Sequence, residues 1–230
     1  MELFKSLLAL FYPNTCLTCG THLMQNEFLI CVLCRHNLPV TDFCETPNNA
    51  VEKAFKGRVP IEQGTSLLFF RKKGISQLLI HQLKYKGRQD VGVFFGKWMG
   101  KQMSAGKRFK SLDGIIKVPL HTKRMKERGY NQLSLFANQL SKELHIQVYN
   151  DVLVKVGQSM SQTKKNRFNR FEKISERFQL SNGEEVAGKH VLLIDDVLTT
   201  GATLEACANE LLKVPDVKIS IATMVISDHY

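Results

Sequence analysis

The sequence predicts an α/β fold, a mostly parallel sheet flanked by helices, with a small cysteine-rich module ahead of it. Three observations predict it. Four cysteines stand in two tight pairs before residue 35. From about residue 63, short apolar runs alternate with stretches of helical periodicity. The run "VLLI" at 191–194 is apolar throughout, as a strand covered on both faces requires.

The totals agree. A chain of 230 residues suits one mid-sized domain plus a small appendage. It is 43% hydrophobic and 23% charged, ordinary for a folded protein with a sizeable core. Lys and Arg outnumber Asp and Glu by 32 to 21, a net charge of +11. That excess favours polyanionic partners: nucleic acid, anionic lipid or phosphorylated ligands. A generally basic soluble protein is the plain alternative.

The first segment, "MELFKSLLALFYP", is apolar but shorter than a membrane span. Glu2 stands where a signal peptide would be basic, and no small-residue cleavage site follows. It reads as a short amphipathic helix packing on the next module. The default compartment is the cytoplasm, with attachment at the inner face of the membrane as the weaker alternative and no integral membrane association.

Cys16, Cys19, Cys31 and Cys34 form C-x2-C-x11-C-x2-C. Each pair wraps a knuckle, and two knuckles supply four thiolates for tetrahedral Zn²⁺. Four thiolates leave no open position, so this zinc is structural. Cys44 has no partner nearby in sequence, and His22 and His36 read as surface residues. Cys207 reads as an apolar filler. The organisation expected is a zinc-ribbon module with its short helix over 1–45, a connector over 46–62, and the α/β domain over 63–230.

The elements follow in order. "GTSLLFF" is a strand, "GISQLLIHQLKY" a helix, and "VGVFFGKWMGKQM" another helix despite three glycines. "DGIIKVPL" is a short buried strand ended by Pro119, and "NQLSLFANQLSKEL" an amphipathic helix. "VYNDVLVKV" is strand-like, and residues 158–177 are basic and helical. "HVLLIDD", "ATLEACANELLKV" and "VKISIATMVI" read as strand, helix and strand.

The chemistry concentrates after "VLLI". Asp195 and Asp196 stand at the carboxyl end of that strand, where open parallel sheets bind ligands. Thr199, Thr200, Gly201, Ala202 and Thr203 then turn into a helix N-terminus, whose N–H groups and dipole suit a phosphate. A phosphate cradle one step beyond two carboxylates fits a sugar phosphate: the acids accept hydrogen bonds from ribose hydroxyls. Solvent access and hydroxyl donors would let both acids stay ionised.

"VLLIDDVLTTGAT" at 191–203 closely resembles the PRPP-binding signature of type I phosphoribosyltransferases. "LKYKGRQD" (83–90), "VPLHTKRMKERGYNQ" (118–132) and the four-cysteine module narrow the likeness to the ComF family, from about residue 10 to 228. That family couples a zinc ribbon to a phosphoribosyltransferase-like domain. It is associated with natural competence, the cytoplasmic handling of single-stranded DNA during uptake.

The resemblance implies site residues. Asp195 and Asp196 match the ribose-binding, catalytic acids, and Thr199 to Thr203 match the 5′-phosphate loop. Pro119, Leu120 and His121 fall where related folds place the pyrophosphate loop, with Arg124 and Arg128 placed to contact pyrophosphate. Mg²⁺ would come with PRPP, held mainly by its phosphates. The segment after Gln162 matches a loop that closes over substrate in related enzymes. This chain has Lys173 where the family often has Asn, and retains Arg167 and Arg170.

"TKKNRFNRFEK" combines five basic residues with Phe168 and Phe171. Lys164, Lys165, Arg167 and Arg170 are therefore nucleic-acid candidates, cations tracking a backbone while rings stack on bases. Phe168 and Phe171 at i and i+3 equally describe a core-facing stripe. The resemblance implies a cytoplasmic PRPP-binding protein acting in DNA uptake. An active phosphoribosyltransferase with a metabolic role, and a module docking a DNA-translocating ATPase through its ribbon, are the competing expectations.

Overall fold

The computed structural model describes residues 14–120, 129–156 and 177–227. One five-stranded sheet organises them: β1 (Gln63–Phe69), β2 (Gly114–Lys117), β3 (Gln147–Tyr149), β6 (His190–Leu198) and β7 (Lys218–Ile226). Its order is β1-β7-β6-β2-β3, and every pairing is parallel. A separate antiparallel hairpin joins β4 (Leu153–Val156) to β5 (Arg177–Leu180). The helices are α1 (Val32–His36), α2 (Ala50–Phe55), α3 (Ile75–Tyr85), α4 (Asp90–Ala105), α5 (Ser134–Leu144) and α6 (Ala202–Leu211).

The expected architecture is present. Ile115 and Ile116 of β2, Val191 to Ile194 of β6 and Ile221 to Ile226 of β7 are buried, because helices cover both faces of a parallel sheet. From β2 the chain steps outward to β3, whereas from β6 it steps the other way to β7. The carboxyl ends of β2 and β6 therefore flank a switch point, where the strands' loops part and leave a crevice.

Three glycines of α4 have a purpose. Gly92, Gly96 and Gly100 recur every fourth residue and face α5. A Cβ at Gly96 would lie 2.8 Å from the Phe136 carbonyl oxygen and 2.7 Å from Gln139 Cβ. Missing side chains thus let the two backbones approach. Gly96→Ala would gain helix propensity, but α5 must move to admit the methyl. A net loss of about 1–3 kcal/mol is expected in urea unfolding, the usual scale of overpacking.

Three expectations change. Residues 148–156 form two strands instead of one, broken at Asn150 and Asp151, which are turn formers. β6 runs past both aspartates to Leu198, because β7 offers backbone partners as far as Ile226. Arg177 begins β5 rather than ending a helix. The rest of the basic segment and the N-terminal apolar segment lie outside the described residues. No helix among the described residues is long and apolar enough to cross a membrane.

At the opposite end of β6, His190 is buried between two hydroxyls: Ser111 Oγ lies 2.9 Å from Nδ1 and Ser220 Oγ 2.9 Å from Nε2. Burial pushes the imidazole below its ordinary pKa, against the raising effect of the Glu62 carboxylate. The folded state therefore resists a proton that the unfolded chain accepts near pH ~6.5. This contribution to stability is complete above that pH and is lost as pH falls. The fall in urea midpoint between pH 7 and 5.5 should be shallower in His190→Asn than in wild type.

Candidate functional site

The phosphate loop is built by the end of β6 and the start of α6. Thr199 and Thr200 are exposed. Gly201 takes φ +76°, a left-handed turn that swings the chain into α6. As the N-cap it has no side chain to occupy the helix end, so the first N–H groups of α6 suit an anion. The floor comes from residues 55–58. A Cβ at Gly201 would sit 3.2 Å from the Phe55 ring and 3.3 Å from Arg58 Nη1. Arg58 donates from Nη1 to the Thr200 carbonyl at 2.9 Å and pairs through Nη2 with Glu205. The Arg58 guanidinium thus balances the one acidic side chain in the first turn of α6.

A cavity of about 400 Å³ opens at the carboxyl ends of β1, β2 and β6. It brings together Pro119, Leu120, Asp195, Asp196, Thr199 and Thr203. Thr200, Gly201 and Ala202 adjoin it in the loop. His121, Arg124 and Arg128 lie outside the described residues, as do Lys164, Lys165, Arg167 and Arg170. Val156 pairs with Arg177 across the antiparallel hairpin, and Lys155, the neighbour of Val156, lines the cavity.

Lys84, Gln132 and Lys155 also line the cavity, and the motif reading assigned them no role. Lys84 and Gln132 stand inside the segments 83–90 and 118–132 that carried the resemblance, which was the available signal. Arg58 carried no signal, since its partner Thr200 is 142 positions away.

The adjacent aspartates have unlike surroundings. Strand neighbours point to opposite faces, and β6 stays extended through both. Asp196 is 4% exposed. Its Oδ1 lies 2.7 Å from Lys84 Nζ, and its Oδ2 accepts from Gln132 Nε2 at 2.9 Å. Asp195 is half-buried, and its Oδ1 accepts the Asp196 N–H at 2.8 Å. Solvent and hydroxyl donors were expected around both carboxylates. Around Asp196 stand Lys84 and Gln132 in place of solvent. Tyr130 Oη donates to the Leu83 carbonyl, tying the chain beside Gln132 to the end of α3.

The sulfurs of Cys16, Cys19, Cys31 and Cys34 lie within 4.8 Å of one another, close enough to share one metal ion. Cys31 caps α1, accepting the Cys34 N–H at 3.5 Å, while the Cys31 N–H donates to Cys16 Sγ at 3.3 Å. Burial opposes the Cys16 thiolate, but backbone hydrogen bonds from Cys19, Cys31 and Thr18 outweigh it and bring its pKa down to about 6. Burial pushes Cys34 up. A mixed set of this kind is what a divalent cation would draw into full ionisation, and an all-sulfur set could bind zinc. Neither His22 nor His36 belongs to the cluster. Cys44 is a core residue, its thiol raised by burial and 3.4 Å from Thr65 Oγ1.

A family model described as "Phosphoribosyl transferase domain" matches residues 134–229, the span that holds β6, the loop, α6 and β7. Over that span the chain is similar to phosphoribosyltransferase domains. The chain is 32% identical over 139 residues to the DNA utilization protein YhgH of Escherichia coli O157:H7, covering 59% of this chain and 60% of that protein. It is 30% identical over 140 residues to Competence protein F of Haemophilus influenzae, covering 59% and 61%. With Competence protein ComFC of Bacillus subtilis it shares 33% over 99 residues, covering 43% and 38%. These likenesses support the ComF family, the matched region spanning about 60% of the length of the first two relatives. A crystal structure of adenine phosphoribosyltransferase aligns with TM-score 0.40 at 15% identity, covering 65% of this chain and 75% of that one.

Proposed function

We propose that this chain is a ComF-like cytoplasmic protein that binds PRPP or a related ribose phosphate and acts in DNA uptake, handling incoming single-stranded DNA. The observation that carries the proposal is the joining of an uncapped helix N-terminus to an acidic pair across one cavity. The loop at 199–203 takes the 5′-phosphate, and the acidic pair faces the ribose. The pyrophosphate runs toward Pro119 and Leu120, continued by His121, Arg124 and Arg128. Mg²⁺ accompanies the pyrophosphate and neutralises its charge. Zinc in the four-cysteine cluster holds the N-terminal module. The curated relatives named for competence and DNA utilization support the physiological role.

The test is calorimetry with PRPP and Mg²⁺ on wild type and on Asp195→Asn with Asp196→Asn, repeated with single-stranded DNA present. Saturable binding lost in the double variant is expected. DNA binding should weaken steeply with salt, and charge reversal at Lys164, Lys165, Arg167 and Arg170 should weaken it further. Unchanged DNA affinity in that variant would remove the segment from the interface. A docking role for the ribbon on a DNA-translocating ATPase is separable: it requires residues 1–45 but not the cavity.

A second reading, phosphoribosyl transfer to a nitrogen nucleophile in metabolism, is favoured by Lys84 and Lys155 in the cavity wall. Cations there would stabilise a departing pyrophosphate. Pyrophosphate release with a panel of nitrogen nucleophiles tests it, and no release from any of them excludes turnover with that panel.

A further inference from the structure

We propose that the outer face of α3 is a contact surface for single-stranded nucleic acid, with His81 and Tyr85 stacking on bases and Lys72, Lys73 and Lys86 following the phosphates. This assignment rests on the DNA-handling reading above and adds to it a surface that does not involve residues 164–170.

The face is marked first by charge. Residues 63–89 hold six Lys or Arg and no Asp or Glu. An anionic strand therefore meets attraction along this stretch and no carboxylate within it. Lys72 and Lys73 stand exposed before α3, and Lys86 stands exposed after it. The 11 residues of α3 hold the two ends about 16 Å apart at the rise of an α-helix. Arg88 makes no part of the track, because Asp90 pairs with it at 2.7 Å. Nor does Lys84, which faces Asp196.

Between these cations lie the rings. Gln77, His81 and Tyr85 recur every fourth residue, so they share one side of the helix. The His81 and Tyr85 ring centroids are 5.1 Å apart. Both residues are exposed, Tyr85 at 65%, so its ring adds little to the core and a base laid against it would cover it. Beside the pair, a groove of about 440 Å³ runs between the first cysteine knuckle and α3, lined by Thr18, Lys73, Gln77, Leu78 and His81. Gln77 Oε1 accepts the Lys73 N–H at 2.6 Å, which holds the backbone of that lysine at the groove. The groove thus offers an apolar wall, an amide and a cation, the groups that a base and its phosphate call for. On another side of α3, Lys84 lines the ribose-phosphate cavity, so one helix borders both surfaces.

The test is fluorescence anisotropy with labelled oligodeoxythymidylate and with a deoxyribose-phosphate strand of the same length that lacks its bases. Wild type should bind the first more tightly than the second. Tyr85→Ala should weaken oligodeoxythymidylate roughly tenfold, the scale of one lost stacking contact, and leave the base-free strand unchanged. Tyr85→Phe should restore the affinity. Lys72→Gln, Lys73→Gln and Lys86→Gln combined should weaken both strands and lower the slope of log affinity against log salt by about 2, at ~0.7 per phosphate contact. Equal binding of the two strands by wild type overturns the proposal, since any polyanion would then do. So does unchanged affinity in Tyr85→Ala or an unchanged slope in the lysine variant. A loss seen only on charge reversal at Lys164, Lys165, Arg167 and Arg170 overturns this surface and leaves the DNA-handling reading standing. A wild type that binds no single strand overturns that reading, and this assignment falls with it. Should Tyr85→Ala fail to fold, the salt slope of the lysine variant decides.

Discussion

Lys84→Met is expected to lower the unfolding free energy by about 3 kcal/mol, the low end of the range for a buried ion pair stripped of one partner. The low end applies because Lys84 is partly exposed, its side chain at 22%, whereas that of Asp196 is at 6%. Methionine preserves most of the stem packing in α3 but leaves the Asp196 carboxylate with Gln132 alone. The loss therefore reports an uncompensated charge rather than a cavity. Urea unfolding of the single variants and of Lys84→Met with Asp196→Asn forms a double-mutant cycle. The double variant should recover part of the loss, since replacing both charges removes the unpaired group. A single-variant loss that is unchanged in the double variant would show that stem packing, not charge, was measured.

The second large effect concerns the cysteine cluster. If zinc holds it, removing the metal with a chelator at pH 7 should undo the N-terminal module, because structural zinc contributes on the order of 10 kcal/mol to small modules. The reporter is built in. Trp98 is the single tryptophan of the chain, and the Arg35 guanidinium lies 4.9 Å from its ring centroid. Arg35 belongs to α1, the helix that Cys31 caps and Cys34 occupies. Loss of the knuckle should release Arg35 and shift the Trp98 emission before the sheet melts. Metal analysis should give one equivalent per chain, lost in Cys31→Ser. Unchanged emission and melting after chelation would show that the thiols hold the fold unaided.

Much of this was legible because the physics is local. A strand covered on both faces must be apolar throughout, and "VLLI" is. Two cysteine pairs meet because each knuckle is short. The loop after β6 could be read because its glycine and threonines follow one another in the chain. What escaped depends on distant partners. Asp195 and Asp196 look equivalent in sequence, and only α3 and the 129–133 segment make them differ. The glycines of α4 looked like a weakness until α5 was seen against them. The extension of β6 beyond its apolar run depends on the length of β7, which no window around Asp195 contains.

Arg58 carries a consequence for how such a chain can be inherited. It and Phe55 lie upstream of the first sheet strand, yet they form the floor beneath Gly201. A gene fragment opening at residue 63 would encode the whole sheet and leave its anion loop without that support. Recombination between relatives preserves the loop only where the breakpoint keeps the partner of Thr200 with the strand it serves. The cut that composition suggests and the cut that descent can tolerate are therefore at different places.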